Sequence, residues 1–130
     1  MIAEDAASFE AVLAAYRMPK ETDEQKTARA ESIQAAIGVA ISVPLETAER
    51  SFEVLTLLGE VARTGNPSAI SDAAVGSQLA ELAIKGASYN IAANLGTMSD
   101  RDKARAASAR VSALVEEAHA VAAEVETKVK

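Results

Sequence analysis

The chain has 130 residues, 49% of them hydrophobic and 3% aromatic, and a formal net charge of −6. This length suits one domain, and a core built from small aliphatic side chains favours closely packed helices. The acidic balance argues against nucleic acid or an anionic membrane as the main partner. The sequence has no cysteine and one histidine, which excludes disulfides and a histidine-rich metal site within one chain.

No apolar run reaches the roughly 18 residues that a membrane span needs. The opening segment MIAEDAASF lacks the basic-then-apolar layout of a signal peptide. The chain also shows no internal repeat, no linker-like segment and no strand-like alternation. We therefore expect a single helical domain over residues 1–130, located in the cytoplasm.

The first two predicted helices are separated by a clear stop and start. A helix over residues 2–17 ends before Pro19, because the residue that precedes a proline avoids the helical region. Thr22 with Gln25 forms a capping box that opens a second helix, which runs to about residue 42. The apolar residues of the first helix share one stripe and are Ile2, Ala6, Phe9, Leu13 and Tyr16.

Pro44 predicts a break in the chain's next helical stretch, since proline interrupts a helix interior and fits the first turn of a new helix. The third predicted helix covers residues 44–63. It has a second apolar face with Val54, Leu57 and Val61, which indicates burial between two neighbours.

The last two predicted helices also have recognisable starts. Asn66 and Pro67 open the fourth helix, which runs to about residue 95. A capping box of Ser99 with Asp102 opens the fifth, which runs to about residue 127. Because short loops join antiparallel neighbours, the sequence predicts an all-α fold, an antiparallel five-helix bundle.

One line of the fourth helix consists of small residues followed by two amides. The line reads Ala73, Gly76, Ala80, Ala83, Ala87, Asn90 and Asn94. Small side chains let another backbone come close, so this seam predicts a tight contact with a helix of the same chain or with the same helix of a second copy. The adjacent apolar face, with Val75, Leu79 and Leu82, predicts that this helix is buried on two sides.

The two amides have two interpretations. A buried asparagine needs partners, because an unpaired amide costs about 1–3 kcal/mol. Asn90 and Asn94 either pair across a helix contact and fix its register, or they line a cavity and hydrogen-bond a ligand. Both interpretations place them at an interface.

Four stretches, in the same order and with compatible spacing, resemble one known family. They are DAASFEAV with MPKET downstream, VPLETA, GNPSAISDAAV and NIAANL, all within residues 1–98. The chain resembles the cyclodeaminase domain of formiminotransferase-cyclodeaminase and the related bacterial methenyltetrahydrofolate cyclohydrolases. The resemblance implies an all-helical, dimeric protein that acts on one-carbon tetrahydrofolates. We expect a tetrahydrofolate derivative as the substrate and no metal.

Two reactions follow from the resemblance. The cyclodeaminase closes 5-formimino-tetrahydrofolate to 5,10-methenyl-tetrahydrofolate and releases ammonia. The cyclohydrolase opens the methenyl bridge with water to give 10-formyl-tetrahydrofolate. Family members carry additional N-terminal helices that open with a proline- and glycine-rich segment, so we expect an N-terminally shortened domain. The alternatives are a non-catalytic shortened homo-oligomer of the same family and a plain helical adaptor.

The candidate site residues follow from the same resemblance. Asp72 is the first catalytic candidate, because a carboxylate can stabilise the methenyl cation and orient the attacking water. Asp5 is the second, since it matches the family's aspartate followed four residues later by phenylalanine. The substrate-binding candidates are Ser71, Asn90, Asn94 and Lys20. For Asp72, Asp5 and Lys20 the alternative is a solvated charge. His119, beside two glutamates, is expected to be exposed.

The spacing of Asp72 and Asn90 sets a geometric condition. They are eighteen residues apart, which is five turns, so they share one helix face but lie about 27 Å apart. One chain cannot place both on a single small substrate. An antiparallel two-fold dimer along the seam would bring Asp72 of one copy toward Asn90 of the other. We therefore expect a homodimer or larger homo-oligomer with shared sites.

Overall fold

The computed structural model describes residues 2–129 and shows four α-helices within that range. They are α1 (Ile2–Tyr16), α2 (Asp23–Thr64), α3 (Pro67–Leu95) and α4 (Arg101–Val129). No strand occurs among these residues, so the predicted all-α class is confirmed. The prediction of five helices is wrong, because α2 covers both the second and the third predicted helix.

Pro44 lies inside α2 and does not end it. Proline lacks the N–H of a helical hydrogen bond and costs about 3 kcal/mol in a helix interior, which is why a break was expected. Packing on both sides of the proline opposes this cost. Pro44 itself is buried, and Ile41 and Ala48 on the same face are 4% and 0% exposed. Tertiary contacts therefore keep the helix continuous where the local sequence favours interruption.

The helix starts follow local capping rules. The side chain of Thr22 accepts a hydrogen bond from the backbone N–H of Gln25 at 3.1 Å, and the side-chain oxygen of Gln25 accepts one from the backbone N–H of Thr22, as predicted. The side chain of Asn66 accepts from the N–H of Ala69 at 3.0 Å. The predicted capping box of Ser99 is wrong by one residue. Asp100 caps α4 instead, with its carboxylate accepting from the N–H of Lys103 at 3.1 Å.

Helices α2, α3 and α4 pack against one another, and α1 packs on α2. Two ion pairs join α2 to α4, Arg63 with Glu124 and Glu49 with Arg110, each at 3.1 Å. Both pairs span 61 residues, so the second half of α2 runs parallel to α4, and α3 is antiparallel to both. Leu55, Ile84 and Leu114, which are fully buried, form the centre of this three-helix core.

The small-residue line of α3 packs largely inside the chain. Ala73, Ala80 and Ala87 are buried against α2 and α4. Gly76 lies so close to Leu58 that an added Cβ would meet its Cδ1 at 3.0 Å. The interpretation of this line as a contact within one chain is therefore confirmed for these residues. Of the five small residues, Ala83 stays exposed.

Several apolar faces are exposed. In α1 the apolar stripe is not the contact face: Ile2 and Phe9 point outward, and Ser8 and Ala15 make the buried contact. The apolar stripe does not mark the contact face of α1, because α1 packs on α2 through small residues. The other exposed apolar residues predicted to be inside are Val54, Leu57 and Val61 of α2 and Val75, Leu79 and Leu82 of α3. Within residues 2–129, no other helix lies over these two faces.

None of the helices that the structure describes combines the length and the apolar character needed to cross a lipid bilayer.

Candidate functional site

A groove runs between α1 and α3, with α2 as its floor. We call it the α1–α3 groove. It consists of two adjoining depressions of about 360 and 300 Å³. Its walls and floor are formed by Ile2, Asp5, Ser8, Phe9 and Val12 of α1, Ala83, Gly86, Ala87, Asn90, Ala93 and Asn94 of α3, and Ala40, Pro44 and Thr47 of α2.

Asp5 and Asn90 line both depressions, so they mark the middle of the groove. Asp5 stands in the first turn of α1, and both side chains are exposed. Among the described residues, no hydrogen bond engages the side-chain amide of Asn90 or the carboxylate of Asp5. The groove therefore offers a ligand one negative charge from α1 and a free amide from α3.

Asn94 is held by its own helix. Its side-chain N–H donates to the backbone carbonyl of Asn90 at 3.1 Å. The side chain is half-buried at the end of the groove. Within residues 2–129, Asn90 and Asn94 thus do not pair with another helix. Of the two interpretations made from the sequence, the groove geometry favours cavity-lining amides over register-fixing ones.

The other candidates lie outside the groove. Ser71 and Asp72 are exposed near the start of α3. Because α3 is unbroken from Pro67 to Leu95, Asp72 stays about 27 Å from Asn90 in the same chain. Lys20 is exposed in the connection after α1, whose last residue is about 16 Å along the helix from Asp5. The structure brings Asp5, Asn90 and Asn94 together and leaves these three apart.

Glu81 is a buried charged residue that the sequence analysis missed. It is 6% exposed between α3 and α4. One carboxylate oxygen lies 2.9 Å from Nδ1 of His119 and 3.2 Å from Nζ of Lys85. Burial opposes ionisation of this carboxyl, but the hydrogen bonds from His119 and Lys85 outweigh it and lower the pKa of Glu81. The predicted exposure of the His119 side chain is confirmed at 72%.

This cluster is structural in character. Glu81 and Lys85 are one turn apart on α3, and His119 reaches them from α4. The spacing of Glu81 and Lys85 is a recognisable ion-pair signal in the sequence, but nothing local shows that the glutamate is buried. No set of three or more His, Cys, Asp or Glu side chains in residues 2–129 is grouped to hold a metal ion.

The floor of the groove is the second feature that was missed. Pro44 and Thr47 belong to the VPLETA stretch, which was recognised as a sequence similarity without a structural role. Together with Ala40 they lie one turn apart along one side of α2. The interrupted-helix prediction hid this, because it placed Ala40 and Pro44 on different helices.

Comparison with known proteins agrees with the sequence similarity. The model of a family described as formiminotransferase-cyclodeaminase matches residues 1–113. A methenyltetrahydrofolate cyclohydrolase of Methylorubrum extorquens is 43% identical over 101 residues, which is 78% of this chain and 49% of the relative. A formimidoyltransferase-cyclodeaminase of Mus musculus is 36% identical over 119 residues, 92% of this chain and 22% of the relative.

The matched segment is thus about half of the cyclohydrolase and about a fifth of the cyclodeaminase. The formimidoyltransferase-cyclodeaminase of Gallus gallus has the same relation, with 30% identity over 91% of this chain and 22% of the relative. The family match covers α1, α2 and α3 in full and the first half of α4. The chain belongs to the formiminotransferase-cyclodeaminase family.

Proposed function

We propose that the α1–α3 groove binds a one-carbon tetrahydrofolate and that the chain takes part in its cyclisation or hydrolysis. The observation that carries the proposal is the free carboxylate of Asp5 opposite the free amide of Asn90 in one groove. Relatives named for cyclodeaminase and cyclohydrolase activity support the choice of substrate class. The substrate is a tetrahydrofolate derivative, and no step of either reaction requires a metal.

The chemistry of the two reactions suggests roles for Asp5 and Asn90. In the hydrolysis direction, water attacks the carbon of the methenyl bridge. One carbon–nitrogen bond then breaks, its electron pair stays on the released nitrogen, which takes up a proton, and the other nitrogen keeps the carbon as a formyl group. The carboxylate of Asp5 stabilises the cationic bridge and accepts a proton from the water. In the cyclodeaminase direction, a second nitrogen of the folate attacks the formimino carbon and loses its proton, and an acid protonates the formimino nitrogen, which then departs as ammonia. The amide of Asn90 orients the ring system by hydrogen bonding.

We propose that Asp72 and Ser71 reach this groove from a second copy of the chain. An antiparallel pairing that sets Asp72 opposite Asn90 of the other copy has its two-fold axis near residue 81 of α3. Leu79 and Leu82 flank that point and are 63% and 65% exposed. Exposed apolar faces of this kind are typical of protein–protein contacts. The contact in this homodimer is therefore formed by the leucines and not by the buried alanines.

Lys20 has a separate proposed role. It is exposed after α1, beyond the groove. The glutamate tail of a folate extends away from its ring system and carries carboxylates, so an exposed lysine at a distance from the ring site suits the tail. This role does not affect the reacting atoms.

A ligand-stabilisation experiment tests the proposal. A ligand that binds only the folded chain raises its apparent stability in proportion to the logarithm of concentration. We expect tetrahydrofolate to raise the melting temperature of the wild type, and the double variant Asp5→Asn, Asn90→Ala to lose most of this response. An intact oligomer with no response at saturating tetrahydrofolate would contradict the proposal and favour a non-catalytic homo-oligomer of the same family.

A further inference from the structure

Pro44 changes the hydrogen bonding of the helix that forms the groove floor. In an α-helix the N–H of each residue donates to the carbonyl four residues earlier. Pro44 has no N–H, so the carbonyl of Ala40 loses the donor that any other residue at position 44 would supply. The proline ring also crowds this carbonyl and pushes it away from the helix axis. A carbonyl in this state needs another donor, because backbone acceptors are rarely left unpaired.

This carbonyl belongs to the groove floor. Ala40 lines the depression that contains Asn94, and Pro44 lines the one that contains Thr47. A helical carbonyl is directed along the axis toward the residue four positions later, so the oxygen of Ala40, in the lining of one depression, is directed toward Pro44, in the lining of the other. Asn90 lines both depressions as well. Among the described residues, no side chain donates a hydrogen bond to Ala40.

We infer that the carbonyl of Ala40, freed by Pro44, is a ligand-binding acceptor on the floor of the α1–α3 groove. This inference rests on the proposed function of the groove and adds a specificity element to it. The pteridine ring of a reduced folate carries ring N–H and amino donors on one edge. The carbonyl of Ala40 and the carboxylate of Asp5 are acceptors, and the amide of Asn90 can donate. The groove therefore suits a flat ligand with N–H donors along one edge.

The variant Pro44→Ala tests the inference because it restores the missing N–H. The new N–H pairs with the carbonyl of Ala40, so we expect a higher melting temperature. The same pairing removes the acceptor from the ligand, so we expect the Kd for tetrahydrofolate to rise about three- to tenfold. A rise in stability together with a fall in affinity is the result that supports the inference. If the proline had only a structural role, its replacement would lower both stability and affinity.

A lactic-acid residue at position 44, introduced by semisynthesis, is the matched control. It differs from alanine only in having an ester oxygen in place of the N–H, and like alanine it lacks the proline ring. We expect this variant to bind tetrahydrofolate nearly as well as the wild type. The variant Pro67→Ala, at the start of α3 and outside the groove, should leave the Kd unchanged.

The outcomes separate the inference from the proposed function. If the wild type binds no tetrahydrofolate, the proposed function fails. If the wild type binds and Pro44→Ala binds equally well, the function stands and the inference is wrong. If tetrahydrofolate binding weakens equally in the alanine and lactic-acid variants, the inference is also wrong. In that case the ring of Pro44, and not the freed carbonyl of Ala40, would contact the ligand.

Discussion

Asp5 and Asn90 line the same groove although eighty-five residues separate them in the chain. Within the described part of the chain, α1 and α3 do not pack on each other. Asp5 is placed by the packing of α1 on α2, and Asn90 is placed by the packing of α3 on α2. The shared floor of α2 therefore sets the width of the groove. A change in the path of α2 alters the distance between these two side chains without touching either.

Replacement of Asp5 by asparagine tests the charge in the groove. Asp5→Asn keeps the size of the side chain and removes the negative charge that opposes the cationic bridge. We expect turnover of methenyl- or formimino-tetrahydrofolate to fall by about 10²-fold or more, the range of a lost acid–base group. Stability should change by less than about 1 kcal/mol, because only a favourable charge at a helix start is lost.

The matched control for this prediction is Glu10→Gln, an exposed carboxylate on the same helix outside the groove. It removes the same charge from the same element. Turnover in this variant should stay within about twofold of the wild type, since the change lies away from the ligand. Full activity of Asp5→Asn in a protein that turns over the substrate would remove Asp5 from the mechanism.

Asn90→Ala is expected to separate stability from binding. Alanine is the better helix former by up to about 0.7 kcal/mol, and the side chain of Asn90 makes no hydrogen bond within residues 2–129 that would be lost. The variant should therefore melt at the same or a higher temperature than the wild type. Its affinity for tetrahydrofolate should fall about tenfold, measured by calorimetry. An unchanged affinity would show that the amide is not a ligand contact.

The features that could be predicted from the sequence are those that depend on local contacts. Thr22 and Asn66 were recognised as caps because their hydrogen bonds reach only three residues along the chain. The distance between Asp72 and Asn90 could also be predicted from the sequence, because both residues lie on one unbroken helix. The groove between Asp5 and Asn90 could not be predicted, because it depends on how two helices cross a third.

Two errors have the same physical origin. The sequence pattern predicts a helix break at Pro44 and gives α1 an apolar stripe that includes Phe9, but the helix is continuous and Phe9 is exposed. In both cases the local pattern was read correctly, but packing between helices decided the outcome. Burial around Pro44 outweighs its local cost, and α1 packs on α2 through small residues such as Ala15. Small contact residues give a weak hydrophobic signal, so the buried face of an alanine-rich helix is difficult to identify from the sequence.

The buried carboxyl of Glu81 predicts a pH dependence of stability. Its pKa is lowered in the folded chain from the ordinary value of 4.5, so its contribution is fully present above that pH. The contribution is lost as the pH falls from about 4.5 through the lower folded value. We expect Glu81→Gln to lower the free energy of unfolding at pH 7 by about 1.5–3 kcal/mol, because charge-assisted hydrogen bonds to His119 and Lys85 are lost.

Urea unfolding of the wild type and Glu81→Gln at several pH values measures this effect. The difference in the free energy of unfolding between the two proteins should be largest at neutral pH and should shrink steadily below pH 4.5. Glu117→Gln, which removes an exposed carboxylate of α4, is the control and should show little difference at any pH. A constant difference between wild type and Glu81→Gln down to pH 3 would show that ionisation of Glu81 does not contribute.

The last prediction concerns the exposed leucines of α3. If Leu79 and Leu82 form the centre of an antiparallel dimer, Leu82→Glu places two like charges near the two-fold axis and removes apolar contact. Sedimentation should then show a monomer, with helix content retained because the residue is 65% exposed in the single chain. Glutamate at Val54, an exposed residue on α2, is the control and should leave the dimer intact. Dissociation by Val54→Glu alone would move the interface to α2.

A mixing experiment then asks whether the sites are shared. In the proposed dimer each groove combines Asn90 of one copy with Asp72 of the other, so at substrate concentrations far below KM Asp72→Ala and Asn90→Ala each lose most of their activity alone. A mixed dimer contains one groove with both residues intact and one with neither. Random mixing of equal amounts should therefore recover about a quarter of wild-type activity. Mixtures with Leu82→Glu added to both chains should recover none. If the original mixture also stays inactive while subunit exchange is demonstrated, Asp72 does not act in the groove of a partner.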